Sequence, residues 1–232
     1  QGLGGKGANQ AVMAARLGVD VSMINSVGDD VYGETTLENF HREGINADFV
    51  HRVPGASGVA PIWVEADGAN RIIAVPGANN SMTEAQAISA IETLPSANVV
   101  LGQLEIPQDV TAAAFERAQK LGAVTVLNPA PFSTLSPRLV QASTWIIPNE
   151  TEFAGMHPDG RSPASDEVIL EVAALYGCRL VVTLGEAGAA LAAPDGTVIR
   201  VPAPHVNAID TTGARDAFVG AFAVGIAVGY SE

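Results

Sequence analysis

The chain has 232 residues, of which 47% are hydrophobic and 16% are charged, and its formal net charge is −13 at neutral pH. The high apolar fraction excludes a disordered chain, and the acidic balance argues against general binding to nucleic acid or to an anionic membrane. The length fits one large domain, or one domain with a small appendage. The single cysteine, Cys178, cannot form an internal disulfide, which favours a reducing compartment and a cytoplasmic protein.

The first part of the chain predicts two helices, a strand and a β-hairpin. The alanine-rich residues 7–17 predict a helix, residues 21–27 an apolar strand, and residues 32–43 an amphipathic helix. Residues 58–65 and 71–76 flank a turn with an Asp-Gly pair, which is typical of an antiparallel hairpin.

Helices and strands alternate from residue 83 onward. Helices are predicted at 83–93, 107–122, 136–142, 166–176 and 214–228. Strands are predicted at 98–104, 124–128, 145–148 and 179–184, followed by a hairpin of 188–193 with 198–201. The alternation indicates βαβ units, and therefore an α/β fold whose mostly parallel central sheet carries helices on both faces. The strands are continuous apolar runs, as expected for a buried parallel sheet.

Polar or glycine-rich residues follow four of these predicted strands. They are Glu105 and the segments 128–131, 148–152 and 185–188. Ligands of open α/β sheets bind at the carboxyl ends of the strands. We therefore expect a ligand site along this edge.

A glycine cluster precedes the first predicted helix. Residues 2–7 match the GxGxxG pattern of dinucleotide sites, but no strand precedes them, and Asp20 stands at the start of the next strand rather than at its end. Residues 4–10 combine glycines, a lysine and two amide side chains at one helix N-terminus. This combination suits a polyhydroxylated ligand; the alternative is a plain glycine turn.

A second cluster, residues 210–218, opens the last predicted helix. Small residues there leave backbone N–H groups free to hold an anion. Asp216 lies within that turn, where it makes sense as a general base that takes a proton from an attacking hydroxyl. The alternative is an N-capping aspartate with a second acid that favours the helix dipole.

Together the two clusters resemble the signatures of the ribokinase family, the PfkB-like carbohydrate kinases. Residues 4–11 (GGKGANQA) are similar to its N-terminal signature, and residues 210–218 (DTTGARDAF) to its C-terminal signature. Four further motifs match in order, at 103–105, 128–131, 148–152 and 183–185. The resemblance implies a ribokinase-like α/β fold with a small β lid that includes residues 58–77.

The resemblance also implies an activity: ATP-dependent phosphorylation of the 5-hydroxyl of D-ribose, or of a similar pentose, to give ribose 5-phosphate. The implied sugar-binding residues are Gly4, Gly5, Lys6, Gly7, Ala8, Asn9, Glu105 and Asp216, with Asp216 as the catalytic base. The implied ATP-binding residues are Asn149, Glu152, Thr183, Gly185, Glu186, Gly188, Gly213, Ala214 and Arg215. The backbone at 213–216 would form the anion hole.

Two metal ions and a second subunit complete what the resemblance implies. Glu152 would help to place Mg²⁺, and Asp210 with Thr212 would hold a monovalent cation, K⁺. The partners would be the pentose and ATP, with no nucleic acid and no membrane, and the β lid would join two copies into a homodimer.

The chain departs from the family pattern at Arg215, where the family has a glycine. We expect the bulk of this arginine, and a backbone conformation that a Cβ disfavours, to obstruct the γ-phosphate. The alternative is that the guanidinium supplies a useful cation. The family's first strand, with its sugar-binding aspartate, and the segment that closes the adenine pocket lie outside residues 1–232, so we expect one domain that is incomplete at both termini.

Three alternative functions stay open at this point. The first is a catalytically impaired relative that binds sugar or nucleotide. The second is a kinase for deoxyribose, fructose or a nucleoside. The third, which rests on the GxGxxG match alone, is an NAD-binding oxidoreductase.

Overall fold

The computed structural model describes residues 4–64, 70–206, 211 and 213–230. Its helices are α1 (Lys6–Arg16), α2 (Val31–Arg42), α3 (Glu84–Thr93), α4 (Gln108–Lys120), α5 (Pro137–Gln141), α6 (Glu150–Met156), α7 (Asp166–Tyr176) and α8 (Ala214–Ala227). Its strands are β1 (Ser22–Gly28), β2 (Asn46–Val53), β3 (Ile62–Val64), β4 (Asn70–Ile72), β5 (Val99–Gly102), β6 (Val124–Leu127), β7 (Trp145–Ile146), β8 (Arg179–Thr183), β9 (Ala189–Ala192) and β10 (Val198–Val201). Short 3-10 turns lie at Gly77–Ser81 and Gly185–Ala187.

The central sheet has six strands in the order β10-β9-β8-β7-β6-β5. Strands β5 to β8 run parallel, and β9 and β10 continue the sheet antiparallel, as the late hairpin predicted. The prediction of a mostly parallel central sheet is therefore confirmed. β1 and β2 form a separate parallel pair, and β3 with β4 forms an antiparallel hairpin. Of the predicted turn in that hairpin, residues 65–69 lie outside the described residues.

Both faces of the central sheet carry helices, as the alternation predicted. Leu127, Ile146 and Leu180 point to one face and pack in a cluster with residues of α4 to α7. The alternate residues along the same strands point to the other face, where Trp145 meets Phe222 of α8 with ring centroids 5.1 Å apart. Because each fully buried apolar side chain contributes roughly 1.5–3 kcal/mol, the two clusters fix the strand register.

The β1–β2 pair lies beside the β5 edge of the central sheet. Ile24 of β1 and Val100 of β5 pack against the same buried cluster, which includes Ile91 of α3 and Val110 of α4. Helix α1 covers this pair, because Ala8 and Ala11 lie in a cluster with Phe40 of α2 and Ile45. This packing carries the N-terminus of α1 to the carboxyl edge of the sheet.

Helix α6 is absent from the elements predicted from sequence, which treated residues 148–152 as a loop after a strand. The helix begins at Glu150 because Asn149 and Glu152 form a reciprocal capping box. Its buried residues Phe153 and Met156 anchor it in the central cluster. Within the described part of the chain, no helix combines the length and apolar character that crossing a membrane requires.

Candidate active site

Asp216 is the buried carboxylate at the N-terminal turn of α8. The helix begins after Gly213, whose left-handed φ of 75° favours glycine. Asp216 is 6% exposed, and its two carboxylate oxygens accept hydrogen bonds from the side-chain amides of Asn9, at 2.8 Å, and Gln10, at 3.1 Å. The N-terminal and C-terminal motifs therefore meet in space.

Close packing of α8 on α1 makes this meeting possible. A Cβ atom on Gly220 of α8 would lie 2.6 Å from the carbonyl oxygen of Gln10. Only a glycine lets the two helix backbones approach so closely. The sequence motifs contain Asp216 and Asn9, but they do not reveal Gly220, one turn further along α8.

Glu105 joins the same site from the end of β5. Its Oε2 accepts the backbone N–H of Lys6 at 2.7 Å, directly after Gly5, whose φ is 93°. Burial raises the pKa of the Glu105 carboxyl, the backbone N–H and the charge of Lys6 oppose this, and the charge of Asp216 raises it further. The site therefore holds two acidic side chains close enough to influence each other.

Asn149 and Glu152 lie at the end of β7, where they form the capping box of α6. The Asn149 backbone N–H and side-chain Nδ2 donate to the two Glu152 oxygens at 2.8 and 2.7 Å. Burial raises the pKa of Glu152, the charges of Lys6 and Arg215 lower it, and the charge of Asp216 raises it. Residues of four sequence motifs thus lie within electrostatic reach of one another.

The expected nucleotide residues at the end of β8 and directly after it lie at the same sheet edge. Thr183 donates its backbone N–H to the carbonyl of Pro148 at 3.0 Å and forms a bridge with Asn149. Gly188 has a φ of 95°, and a Cβ on it would meet the carbonyl oxygen of Val201 at 2.0 Å. Gly185 and Glu186 lie exposed in the short turn between them.

Several expected site residues have other local roles. Ala8 is buried among the residues under α1, so its side chain faces the core. Gly7 makes room for Gln103, because a Cβ there would lie 2.9 Å from the Gln103 Oε1. Gly4 is exposed. Asp210 and Thr212, the expected monovalent-cation ligands, lie outside the described residues.

The anion hole expected at 213–216 has one N–H already engaged. Ala214 donates its backbone N–H to the carbonyl of Thr211 at 3.1 Å. Arg215 is exposed, and no residue other than glycine has a positive φ among the described residues, so the expected backbone strain at Arg215 is wrong. In the part of the chain that the structure describes, no acidic side chain forms an ion pair with the Arg215 guanidinium.

Among the described residues, no group of three or more His, Cys, Asp and Glu side chains is arranged to hold a metal ion. Glu152 and Asp216 are nevertheless buried carboxylates of the kind that holds Mg²⁺ together with substrate phosphates. These two carboxylates would fit a magnesium ion that a bound nucleotide supplies.

Residues 1–231 match the family model described as pfkB family carbohydrate kinase. The chain belongs to this family. Among curated relatives, it is 39% identical to a ribokinase of Bacillus subtilis over 97% of this chain and 74% of the relative. It is 40% identical to a deoxyribokinase of Salmonella typhi over 96% of this chain and 74% of that protein. The chain thus spans about three quarters of the length of these relatives.

Solved structures of ribokinases are similar to this chain, which agrees with its membership of the family. The structure of Arabidopsis thaliana ribokinase complexed with ribose and ATP matches with a TM-score of 0.89 at 30% identity, over 98% of this chain and 76% of that one. Ribokinase of Thermotoga maritima matches with a TM-score of 0.86 at 32% identity, over 97% and 74% of the two chains. The fold is therefore ribokinase-like, and this PfkB-family chain is an ATP-dependent sugar kinase.

Proposed function

We propose that this chain transfers the γ-phosphoryl group of ATP to the 5-hydroxyl of D-ribose, giving ribose 5-phosphate, with Asp216 as general base. The observation that carries the proposal is the buried Asp216 carboxylate, 6% exposed and held by the Asn9 amide at 2.8 Å, at the N-terminus of α8. Similar curated proteins include ribokinases of Bacillus subtilis and Schizosaccharomyces pombe, at 39% and 38% identity.

The proton transfer uses the free lone pairs of Asp216. Each carboxylate oxygen accepts one amide hydrogen bond and keeps acceptor capacity for the sugar hydroxyl. As the hydroxyl oxygen attacks the γ-phosphorus, its proton passes to Asp216, and ADP leaves with the electrons of the broken bond. The N-terminus of α8 stabilises the charge of the transferring group.

The sugar binds between the N-terminus of α1 and the end of β5. Asn9 uses its Nδ2 on Asp216, which leaves its Oδ1 as an acceptor for a sugar hydroxyl. Glu105 uses Oε2 on the Lys6 backbone, which leaves Oε1 for another hydroxyl. The Lys6 ammonium and the backbone of Gly5 supply donors. Ala8 contributes no side-chain contact, because it faces the core.

The nucleotide lies along the edge formed by the ends of β7 and β8. The residues proposed to line it are Asn149, Glu152, Thr183, Gly185, Glu186, Gly188, Gly213, Ala214 and Arg215. Glu152 would help to hold Mg²⁺, which would neutralise phosphate charge when bound. Asp210 and Thr212, which lie outside the described residues, would hold K⁺.

Residues 58–77, of which 65–69 lie outside the described residues, form the proposed lid over the sugar. Strands β3 and β4 pair in this segment, and Val59 exchanges backbone hydrogen bonds with Val75 at 3.0 and 2.9 Å. Val59, Ile73 and Val75 are exposed apolar residues, which supports a homodimer that buries them between two lids. The free thiol of Cys178 suits a reducing compartment such as the cytoplasm.

The test of the proposal is coupled ADP release with ribose, deoxyribose, fructose, adenosine and no sugar. Ribose should give the highest kcat/KM. A preference for fructose or adenosine contradicts the ribose assignment. Deoxyribose is the second candidate, because the deoxyribokinase of Salmonella typhi is as similar as the ribokinases. The ratio of the ribose and deoxyribose kcat/KM values decides between these two.

The alternative is a catalytically impaired family member that binds sugar or nucleotide, and this alternative rests on Arg215. The guanidinium is exposed beside the proposed γ-phosphate position, where it either obstructs the group or adds a cation. Sugar binding by calorimetry without sugar-dependent ADP release supports the impaired relative. Turnover supports the kinase.

A further inference from the structure

A chain of side-chain amides reaches the Asp216 carboxylate from the protein interior. Gln10 of α1 is 0% exposed, and its Nε2 donates to the Asp216 Oδ1 and to the Asn128 Oδ1, each at 3.1 Å. Its Oε1 accepts from the Gln103 Nε2 at 2.5 Å. The Nδ2 of Asn128 donates to the carbonyl of Ile147 at 2.9 Å. The nitrogen and the oxygen of the Gln10 amide are therefore both engaged in hydrogen bonds.

The direction of these hydrogen bonds is fixed by a backbone group. The Ile147 carbonyl can only accept, so Asn128 must turn its Nδ2 toward it and its Oδ1 toward Gln10. Gln10 must then present its Nε2 to Asn128, and the same Nε2 faces Asp216. A flipped Gln10 would place its oxygen against two acceptors, an arrangement that burial makes costly.

Two glycines leave the space that this chain of amide side chains occupies. Gly7 leaves room for the Gln103 side chain, since a Cβ would come within 2.9 Å of its Oε1. Gly220 lets α8 approach the backbone of Gln10. The contact between Gln10 and Asp216 is therefore built by the packing of β5, α1 and α8, and it does not depend on a ligand.

We propose that Gln10 is a positioning residue that fixes the orientation of the Asp216 carboxylate for proton abstraction. Asn9 holds one carboxylate oxygen and Gln10 holds the other, so the carboxylate cannot rotate. In the proposed function Asn9 also binds the sugar, whereas Gln10 is fully buried and donates to Asp216. This inference rests on the proposed function, in which Asp216 is the base.

A positioning role for Gln10 has a kinetic consequence that a packing role does not have. Misplacing a catalytic group by about 1 Å costs roughly 10²-fold in rate, whereas the sugar-binding groups stay in place. Loss of the Gln10 donor should therefore lower kcat and leave the KM for ribose nearly unchanged. A packing role alone would lower the melting temperature and leave kcat per folded molecule unchanged.

The test uses two variants and a control. Gln10→Leu removes both donors, and Gln10→Glu keeps the size and the acceptor for Gln103 but cannot donate to Asp216 when ionised. Both should lower kcat by about 10- to 100-fold, with the ribose KM within about threefold. Thr125→Val is the control, because it removes a fully buried side-chain hydrogen bond to the Ala142 carbonyl, at 2.7 Å, away from Asp216. It should lower the melting temperature and leave kcat unchanged.

Other outcomes overturn the proposal. Retention of kcat within threefold in Gln10→Leu and Gln10→Glu means that the amide does not position the base. A rise in the ribose KM with unchanged kcat assigns Gln10 to sugar binding instead. If neither Gln10 variant folds, Gln103→Leu removes only the donor to the Gln10 oxygen and should lower kcat about threefold to tenfold. An unchanged kcat there also overturns the proposal.

A wild-type chain that folds but releases no ADP with any sugar refutes the proposed function. In that case the hydrogen bond from Gln10 to Asp216 is tested by NMR. The side-chain amide protons of Gln10 should shift in Asp216→Asn, whereas those of Gln119, which donates to Thr125, should not. The absence of a Gln10 shift would overturn the positioning contact itself.

Discussion

The Asn9 side-chain amide donates to the Asp216 carboxylate at 2.8 Å, although the two residues are 207 positions apart in the sequence. This bond joins the helix that opens the chain to the helix that closes its described part. It places the proposed base where a sugar held at α1 and a phosphoryl group held at α8 would meet. The proposed chemistry therefore depends on how these two helices pack.

Replacing Asp216 with asparagine removes the proton acceptor and keeps the shape. General bases contribute typically 10²- to 10⁴-fold, so kcat should fall by about that factor. The Kd for ribose, measured by calorimetry, should change little, because Asn9 and Glu105 still bind the sugar. Retained turnover in Asp216→Asn contradicts the base role.

Glu105→Gln should stabilise the folded protein at neutral pH while weakening ribose binding. Burial raises the pKa of Glu105 above its ordinary 4.5, so the ionised carboxylate destabilises the folded state above the raised pKa. This destabilisation disappears as the pH falls through the raised pKa toward the ordinary value. The variant should therefore melt at a higher temperature than the wild type at pH 7.5, and the two should converge near pH 4.

Glu116→Gln provides the matched control of opposite sign. Hydrogen bonds from Arg138, at 2.9 and 3.0 Å, lower the pKa of Glu116. The stability that this pair contributes is present above the ordinary pKa and is lost as the pH falls through the lowered one. Glu116→Gln should thus lower the melting temperature slightly at pH 7.5 and keep the ribose Kd unchanged. If the melting temperatures of Glu105→Gln and Glu116→Gln differed from the wild type in the same direction at pH 7.5, burial would not be the cause of the raised pKa of Glu105.

Gly220→Ala should separate α8 from α1. The added Cβ would lie 2.6 Å from the Gln10 carbonyl oxygen, and such overpacking costs typically 1–3 kcal/mol of the free energy of unfolding. The shift also moves Asp216 away from its amide partners, so kcat should fall as well. Denaturant unfolding and steady-state kinetics measure the two effects.

Gly225→Ala is the control on the same helix. A Cβ there lies 3.7 Å from the Tyr230 ring, an ordinary contact, and alanine is favoured over glycine in a helix by about 1 kcal/mol. This variant should be as stable as the wild type or more stable, with unchanged kcat. Equal losses of stability and kcat in Gly220→Ala and Gly225→Ala would show that the close approach at Gly220 is not needed for either.

Arg215→Gly tests the position at which the chain departs from its family. The structure gives Arg215 an ordinary helical backbone and an exposed side chain, and its charge lowers the pKa of Glu152. We expect kcat to rise in Arg215→Gly, because the bulk beside the γ-phosphate is removed. A fall in kcat, with a larger KM for ATP, would instead assign the guanidinium to the phosphates.

Most of the fold could be predicted from local sequence patterns. Local patterns suffice to predict β6 and β8 from their apolar runs, and α3 and α4 from their periodic apolar faces. For these four elements only the predicted ends differ from the structure. Strand β5 ends at Gly102 rather than at Leu104, because Leu104 donates its N–H to Ala130 outside the sheet.

The rest depends on contacts between distant residues. Helix α6 was missed because its capping box was interpreted as a binding loop, although the Asn-x-x-Glu pattern followed by Phe153 carries the signal. In the sequence, Gln10 is one polar residue of a glycine-rich motif, and nothing local indicates that it is fully buried beside Asp216. Burial of that kind is decided by tertiary packing at Gly7 and Gly220, which the local pattern does not contain.

The decisive measurement is the identity of the product formed from ribose and ATP, determined by ³¹P NMR of reactions with the wild type and with Asp216→Asn. The proposed reaction gives ribose 5-phosphate with the wild type, formed only with sugar and nucleotide together, and it should be at least about 10²-fold slower with Asp216→Asn. Phosphorylation at another hydroxyl, or equal rates for the two proteins, would contradict it.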